Sequence, residues 1–148
     1  MSESVILLVE DSSSDEELTL RSLAKANILN KVVVARDGAA ALDYLFARGS
    51  YSGRNPLETP QVVLLDLNLP KLGGLEVLRA IRADPRTETL PVVILTSSRE
   101  DKDLIGGYAS GANSYIVKPV DFTQFSEAVR QLGRYWLLLN QPAPRPGR

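Results

Sequence analysis

Short apolar runs alternate with amphipathic segments along the chain. Each run consists almost entirely of aliphatic side chains, and polar residues bound the first run on both sides. The runs cover residues 5–9, 32–35, 62–65, 92–95 and 115–117. Continuous apolar runs of this length are typical of strands that are buried on both faces of a sheet. We therefore predict five buried β-strands.

The segments between these runs carry helix signals, such as capping serines, acidic first turns and apolar residues at helical spacing. A Gly-, Ser- and Pro-rich stretch at residues 48–60 interrupts the pattern and is interpreted as a loop. We predict helices from serines 12–14 to about residue 27, over residues 38–47, around Leu75, Leu78 and Ile81 up to Asp84-Pro85, over residues 101–110, and over residues 122–140.

Strands that alternate with helices favour an α/β fold, in which helices cover both faces of a parallel sheet. With five strands and right-handed connections, we predict the flavodoxin-like fold, a three-layer αβα architecture with strand order 2-1-3-4-5. We expect residues 1–140 to form one domain and the Pro-rich residues 141–148 to be a disordered tail.

The composition of the chain excludes several classes of function. The 148 residues carry a net charge of −1, which gives no electrostatic argument for binding nucleic acid or an anionic membrane. No apolar run approaches the roughly 18 residues of a membrane span, and the first residues lack the basic segment of a signal peptide, so we expect a cytoplasmic protein. The absence of Cys and His excludes thiolate chemistry, Cys or His metal ligands and a phosphohistidine on this chain.

Polar side chains follow four of the predicted strands, where each strand ends. Because the carboxyl ends of parallel strands meet at one edge of the sheet, these residues are expected to converge. They are Glu10 and Asp11 after the first strand, Asp66 after the third, Thr96 and Ser97 after the fourth, and Lys118 followed by Pro119 after the fifth.

The three predicted neighbouring carboxylates repel one another, so such a cluster is expected to bind a cation or to keep a proton. Oxygen ligands without His or Cys favour Mg²⁺, Mn²⁺ or Ca²⁺. A lysine, a hydroxyl and a divalent cation around one aspartate are suited to phosphoryl transfer, and the aspartate itself can be the nucleophile.

In these residues the sequence resembles the receiver domains of two-component response regulators, with the chemotaxis-regulator-like fold, over about residues 5–139. The resemblance implies that Asp66 accepts the phosphoryl group and that Glu10, Asp11 and Asp66 hold Mg²⁺, or Mn²⁺, together with the main-chain carbonyl of Asn68. It further implies that the phosphoryl group is bound by Lys118, Thr96 and Ser97, that Tyr115 is a switch residue, and that the Lys118-Pro119 bond is cis. A receiver is a signalling phosphoacceptor that catalyses only its own phosphorylation and dephosphorylation.

Two longer segments, LTLRSLAKANILNKVVVARDGAAALDYLF and RQLGRYWLLLN, resemble a narrower group, the stand-alone regulators of bacterial and cyanobacterial phytochromes. This resemblance implies a light-regulated sensor histidine kinase as phosphodonor. The last helix carries Tyr135, Leu137 and Leu138 off its core face, which predicts a homodimer through this helix. Because only a short tail follows the last helix, we expect the output to pass through a partner or through changed dimerisation.

Three alternatives remain open at this stage. A phosphorelay intermediate would have the same biochemistry. A flavodoxin would bind a flavin phosphate with the serines 12–14, but the neighbouring acidic residues would repel that phosphate. A phosphatase of the haloacid-dehalogenase type would need an acid at the position of Asn68, where the amide is unable to act as an acid or a base.

Overall fold

The structure is a computed structural model, and it describes residues 5–25, 30–96, 111–112 and 114–117. The predicted helices over residues 101–110 and 122–140, and the tail, lie outside the described residues. The elements are β1 (Val5–Val9), α1 (Ser13–Lys25), β2 (Lys31–Ala35), α2 (Gly38–Leu45), a 3₁₀ turn (Gly49–Tyr51), β3 (Val62–Leu65), α3 (Gly74–Ala83), β4 (Val92–Thr96) and β5 (Ser114–Val117).

The five strands form one parallel sheet with the order β2-β1-β3-β4-β5. This arrangement confirms the predicted α/β fold and strand order. Strand β1 lies between β2 and β3, and its last residue, Val9, is level with Ala35 and with Leu65. The residues that follow these strands therefore leave the sheet at the same edge.

Alternate strand residues face opposite sides of the sheet and form two apolar clusters. On one side, Ile6, Leu8 and Leu64 pack with Leu23 of α1. On the other side, the sheet packs against α2 and α3 through a cluster that contains Leu7, Val9, Val63, Leu65, Ala41, Leu42, Val77, Leu78 and Ile81. Strands β1, β3 and β4 are buried on both faces, as their continuous apolar runs predicted. The prediction is wrong for β2, whose valines 32–34 are only partly buried because this strand lies at the edge of the sheet. The buried strands form a rigid support for the loops at their ends.

The helix ends follow local chemistry. Helix α1 is capped by Ser12, whose Oγ accepts a hydrogen bond from the N–H of Asp15 at 3.3 Å. Helix α3 ends at Asp84, which has extended backbone and precedes Pro85, as predicted. Among the described helices, none is long and apolar enough to cross a membrane.

The predicted end of α2 is two residues too late, and the predicted loop after it contains the 3₁₀ turn. Ala47 has a left-handed φ of 54°, which ends the helix. The loop is ordered by Arg54, whose guanidinium donates to the carbonyls of Tyr44 and Glu58 and lies over the Tyr44 ring. The contacts with Tyr44 join residues ten positions apart, so helix propensity alone does not predict them.

Candidate functional site

The candidate site lies at the carboxyl edge of β1 and β3, where the sheet register brings two carboxylates side by side. The N–H of Glu10 donates to the carbonyl of Ala35 at 2.9 Å, and the N–H of Asp66 donates to the carbonyl of Val9 at 3.1 Å. These main-chain bonds extend the parallel ladder by one residue on each strand. The two acids are therefore fixed by the sheet backbone.

Glu10, Asp11 and Asp66 form a compact acidic cluster. Each contributes a carboxylate oxygen, and these oxygens all lie within 4.8 Å of one another. The side chains of Glu10 and Asp66 are buried, at 2% and 7% exposure, whereas Asp11 is exposed to solvent. Because burial removes water that would otherwise screen the charges, two buried carboxylates at this distance favour a bound cation.

Main-chain N–H groups orient two of the carboxylates. The N–H of Asn68 donates to Oδ1 of Asp66 at 2.9 Å, and the N–H of Ser12 lies 3.4 Å from Oε2 of Glu10. Ser12 is also the cap of α1, so the start of this helix and the end of β1 form one local unit. The main-chain N–H of Asn68 is held beside Asp66, and the role of its carbonyl as a metal ligand stays a prediction.

The residues of the acidic cluster fit a divalent metal ion. The cluster offers only carboxylate oxygens, which are the ligands of hard cations such as Mg²⁺ and Mn²⁺. Three such oxygens within 4.8 Å of one another could contact a single ion. The cluster thus meets the chemical requirement for divalent metal binding.

The other predicted site residues lie on β4 and β5 or beyond the described residues. Ile94 is level with Leu65, so Thr96, the last residue of β4, reaches the same edge as Asp66. Thr96 is paired with Val117, the last residue of β5, and Tyr115 is level with Ile94. The side chains or main chains of Ser97, Lys118, Pro119, Tyr135, Leu137 and Leu138 are outside the described residues, so their predicted roles stay predictions.

The residues that hold the β3–α3 loop, residues 66–73, in place were not predicted from the sequence. Gly74 packs so closely on Asp66 that a Cβ at this position would lie 2.4 Å from the Asp66 carbonyl oxygen. Lys71 has a left-handed φ of 66°, and its Nζ lies 3.5 Å from Oδ2 of Asp37. The sequence signal for these contacts is weak, because a glycine pair before a helix is also typical of an ordinary turn.

Comparison with known proteins decides the family. The sequence profile of the response regulator receiver domain matches residues 6–130. The chain belongs to this family. Family membership excludes the flavodoxin and phosphatase alternatives and makes the chain a signalling protein, since receiver domains act with histidine kinases.

Several relatives are response regulators of phytochromes. Response regulator Rcp1 of Synechocystis is 38% identical over 133 residues, which cover 90% of this chain and 88% of Rcp1. The crystal structure of the phosphorylated cyanobacterial phytochrome response regulator RcpA has a TM-score of 0.89 at 35% identity, covering 97% of this chain and all of RcpA. The bacteriophytochrome response regulator AtBRR is 52% identical with a TM-score of 0.75, covering 95% of this chain and all of AtBRR.

These relatives confirm the resemblance to the regulators of bacterial and cyanobacterial phytochromes. One solved structure of Rcp1 is a Mn²⁺-bound form; it has a TM-score of 0.87 and 35% identity, and covers 95% of this chain and 99% of Rcp1. Together with the acidic cluster in this chain, it supports a divalent metal site.

Proposed function

We propose that Asp66 is the phosphoacceptor of this receiver and that Glu10, Asp11, Asp66 and the main-chain carbonyl of Asn68 hold Mg²⁺ beside it. The observation that carries the proposal is the acidic cluster, which places the buried Asp66 within 4.8 Å of two further carboxylates. A divalent cation at this cluster would supply positive charge next to the phosphoryl oxygens.

The phosphoryl transfer is a displacement at phosphorus. A carboxylate oxygen of Asp66 attacks the phosphorus atom of the kinase phosphohistidine, an O–P bond forms, and the N–P bond breaks with its electron pair leaving on the imidazole, which is then protonated. Hydrolysis returns Asp66 to its free carboxylate: water attacks the phosphorus atom, the bond between phosphorus and the Asp66 oxygen breaks, and inorganic phosphate leaves. The sheet edge contributes by holding the carboxylate of Asp66 in one position.

The roles of the remaining site residues follow from the family. We assign Lys118 and the hydroxyls of Thr96 and Ser97 to binding of the phosphoryl oxygens, and Tyr115 to the conformational switch. The position of Thr96 at the end of β4 supports the first assignment, because β4 neighbours β3 in the sheet. A cis bond between Lys118 and Pro119 would fix the lysine at the rim of the site.

We further propose that residues 1–140 form a single receiver domain in the cytoplasm and that its phosphodonor is a bacterial phytochrome with histidine kinase activity. The support is the similarity to RcpA and AtBRR, which are named as response regulators of a cyanobacterial phytochrome and of a bacteriophytochrome. Transfer of the phosphoryl group onward, as in a phosphorelay, would use the same chemistry at Asp66.

Phosphorylation of Asp66 can be measured directly. The protein is incubated with Mg²⁺ and acetyl phosphate, or with a phosphorylated candidate kinase, and the adduct is located by mass spectrometry. We expect one phosphoryl group on Asp66 that is stable in acid and labile in base, and that disappears in Asp66→Ala. Asp43→Asn is the matched control, because it removes an aspartate charge at the far end of α2 and should leave the adduct unchanged. An adduct that persists in Asp66→Ala would contradict the proposal.

We also propose a homodimer through the last helix, with Tyr135, Leu137 and Leu138 at the interface. Replacing Leu138 with Glu would place a charge in an apolar contact, which is strongly unfavourable. The expected result is a monomer by light scattering, at concentrations where the unmodified chain is a dimer. A dimer that tolerates Leu138→Glu would exclude this surface.

A further inference from the structure

The start of α2 is in close contact with the β3–α3 loop. A Cβ added to Gly38 would lie 2.4 Å from the carbonyl oxygen of Leu72 and 2.9 Å from its Cβ. Real Cβ atoms do not approach other heavy atoms this closely, so a glycine is required at this position for the loop to lie where it does. The loop main chain therefore rests directly on the first turn of α2.

The residue before Gly38 adds a second contact to the same loop. Asp37 caps α2, because its Oδ1 accepts a hydrogen bond from the N–H of Ala40 at 2.8 Å. Its other oxygen, Oδ2, lies 3.5 Å from Nζ of Lys71. Lys71 is in the left-handed region with φ of 66°, a conformation that is unfavourable for a residue with a Cβ. The ion pair with Asp37 is a second contact between the start of α2 and the loop, on the solvent side.

The opposite end of the loop is bound to the acidic cluster. The N–H of Asn68 donates to Oδ1 of Asp66 at 2.9 Å, and the N–H of Gly74 donates to the carbonyl of Leu67 at 3.1 Å. The loop is thus fixed on one side by the phosphoacceptor and on the other side by α2. A shift of the loop away from α2 would move Asn68 relative to the three carboxylates.

We propose that Asp37 and Gly38 are positioning residues for the metal site: they seat the β3–α3 loop on α2 and thereby fix the main chain of Asn68 beside Glu10, Asp11 and Asp66. This inference rests on the proposed function, since it assumes that the cluster and the Asn68 carbonyl bind Mg²⁺. Asp37 and Gly38 act through the loop and do not touch the ion. Changes to residues that only orient metal ligands commonly weaken metal affinity by about 10-fold or more.

The test compares two glycine-to-alanine substitutions. In Gly38→Ala the new Cβ displaces Leu72, whereas Gly53→Ala adds a Cβ to a position with nothing within 4 Å. Binding of Mg²⁺ is measured directly by isothermal titration calorimetry and, in parallel, through the rate of phosphorylation by acetyl phosphate at increasing Mg²⁺ concentration, both well below the melting temperature. We expect the half-saturating Mg²⁺ concentration to rise by roughly 10-fold in Gly38→Ala and to stay unchanged in Gly53→Ala.

The folded fraction of each variant without Mg²⁺ is measured by circular dichroism, because a cation that binds only the folded chain raises the half-saturating concentration of a partly unfolded variant by the inverse of its folded fraction. A rise in Gly38→Ala no larger than this factor would come from loss of folded protein alone and would overturn the proposal. If Gly38→Ala does not fold, Lys71→Gln decides instead: it removes the ion pair at an exposed position, and a half-saturating concentration raised by about 2- to 5-fold is expected. An unchanged value in Lys71→Gln would then refute the inference.

A different result would contradict the proposed function itself. If the unmodified chain shows no Mg²⁺-dependent phosphorylation of Asp66, the assignment of the site itself is wrong. If the unmodified chain is phosphorylated with a normal Mg²⁺ dependence and the variants match it, only the role of Asp37 and Gly38 is wrong.

Discussion

Two aspartates outside the acidic cluster are stabilised in their ionised form by local hydrogen bonds. The main-chain N–H of Ala40 lowers the pKa of Asp37 below its ordinary value of 3.8, partial burial opposes this change, and Lys71 adds to the lowering. The side-chain hydrogen bond from Arg86 lowers the pKa of Asp84 in the same direction, again against partial burial. Asp37 is the N-cap of α2 and Asp84 is the C-cap of α3. Both make the free energy of unfolding depend on pH in the acidic range.

The sign of this dependence follows from the lowered pKa values. Because the folded-state pKa of Asp84 lies below 3.8, its ionised form contributes in full above pH 3.8, and the contribution is lost as the pH falls through the lower folded-state pKa. We expect Asp84→Asn to lose less stability than the unmodified chain on acidification. Urea denaturation between about pH 6 and pH 2.5 measures this difference, and parallel curves over the whole range would contradict it.

Gly74 limits the space beside Asp66, the proposed phosphoacceptor. A Cβ at this position would lie 2.4 Å from the carbonyl oxygen of Asp66 and 2.6 Å from Cα of Leu67, and both contacts are to main-chain atoms that have little freedom to move. We expect Gly74→Ala to lower the free energy of unfolding by about 1–3 kcal/mol, the range for overpacking a buried position. Urea denaturation measures the loss; Gly53→Ala is the control, and an equal effect of both substitutions would argue against a steric cause.

Single residues of the site differ in how far the sequence predicts them. Glu10 and Asp66 were predictable because each follows a continuous apolar run, and the parallel register necessarily brings such positions together. The importance of Gly38, Lys71 and Gly74 was not predictable, since it depends on contacts between segments that are distant along the chain. A glycine is recognised as essential only when the atoms that would meet its Cβ are known.

At the scale of elements, the strands follow the sequence closely and the connections do not. A strand buried on both faces needs a continuous apolar run, so the first and last residues of β1 and β3 can be predicted from the local sequence. The end of α2 depends on the left-handed Ala47, and the position of the α3–β4 loop depends on Arg82, which donates hydrogen bonds to the carbonyls of Leu90 at 2.7 Å and Gly111 at 2.8 Å. Such side-chain bonds to a distant main chain leave no periodic signal.

Arg82 joins the end of α3 to the starts of β4 and β5. It also contacts the carbonyls of Thr87 and Glu88, and burial lowers its pKa, although a guanidinium stays charged at neutral pH. We expect Arg82→Met to lower the free energy of unfolding by about 2–3 kcal/mol, because hydrogen bonds from a charged donor contribute about 1.5–3 kcal/mol each and water replaces part of them.

Arg82→Lys is the matched variant for this prediction. It keeps the charge and the aliphatic stem, but a single ammonium group lacks the forked geometry that reaches both carbonyls. An intermediate loss in urea denaturation is expected. If Arg82→Lys were as stable as the unmodified chain, the contribution of Arg82 would be its charge and not its bridging geometry.

For the whole molecule, a cation at the acidic cluster would couple folding to metal binding. We expect the repulsion between Glu10, Asp11 and Asp66 to be weaker in the unfolded chain, where the three charges are separated and hydrated. A cation that binds only the folded chain stabilises it by mass action. The same three residues are therefore expected to lower stability without metal and to raise it with metal.

Asp11→Asn separates these two effects. The substitution removes one negative charge and one ligand oxygen at an exposed position of the cluster, so the melting temperature without metal should rise. With Mg²⁺ at 100 times the dissociation constant, the unmodified chain should gain about 2.7 kcal/mol, and Asp11→Asn should gain much less at the same concentration. Differential scanning fluorimetry with EDTA and with Mg²⁺ measures both shifts.

Asp43→Asn is the control, because it makes the same change in net charge outside the cluster. This variant should keep the full gain from Mg²⁺, whereas a general effect of charge would act on both variants alike. A metal-dependent gain that is equal in Asp11→Asn and Asp43→Asn would show that the cation binds elsewhere.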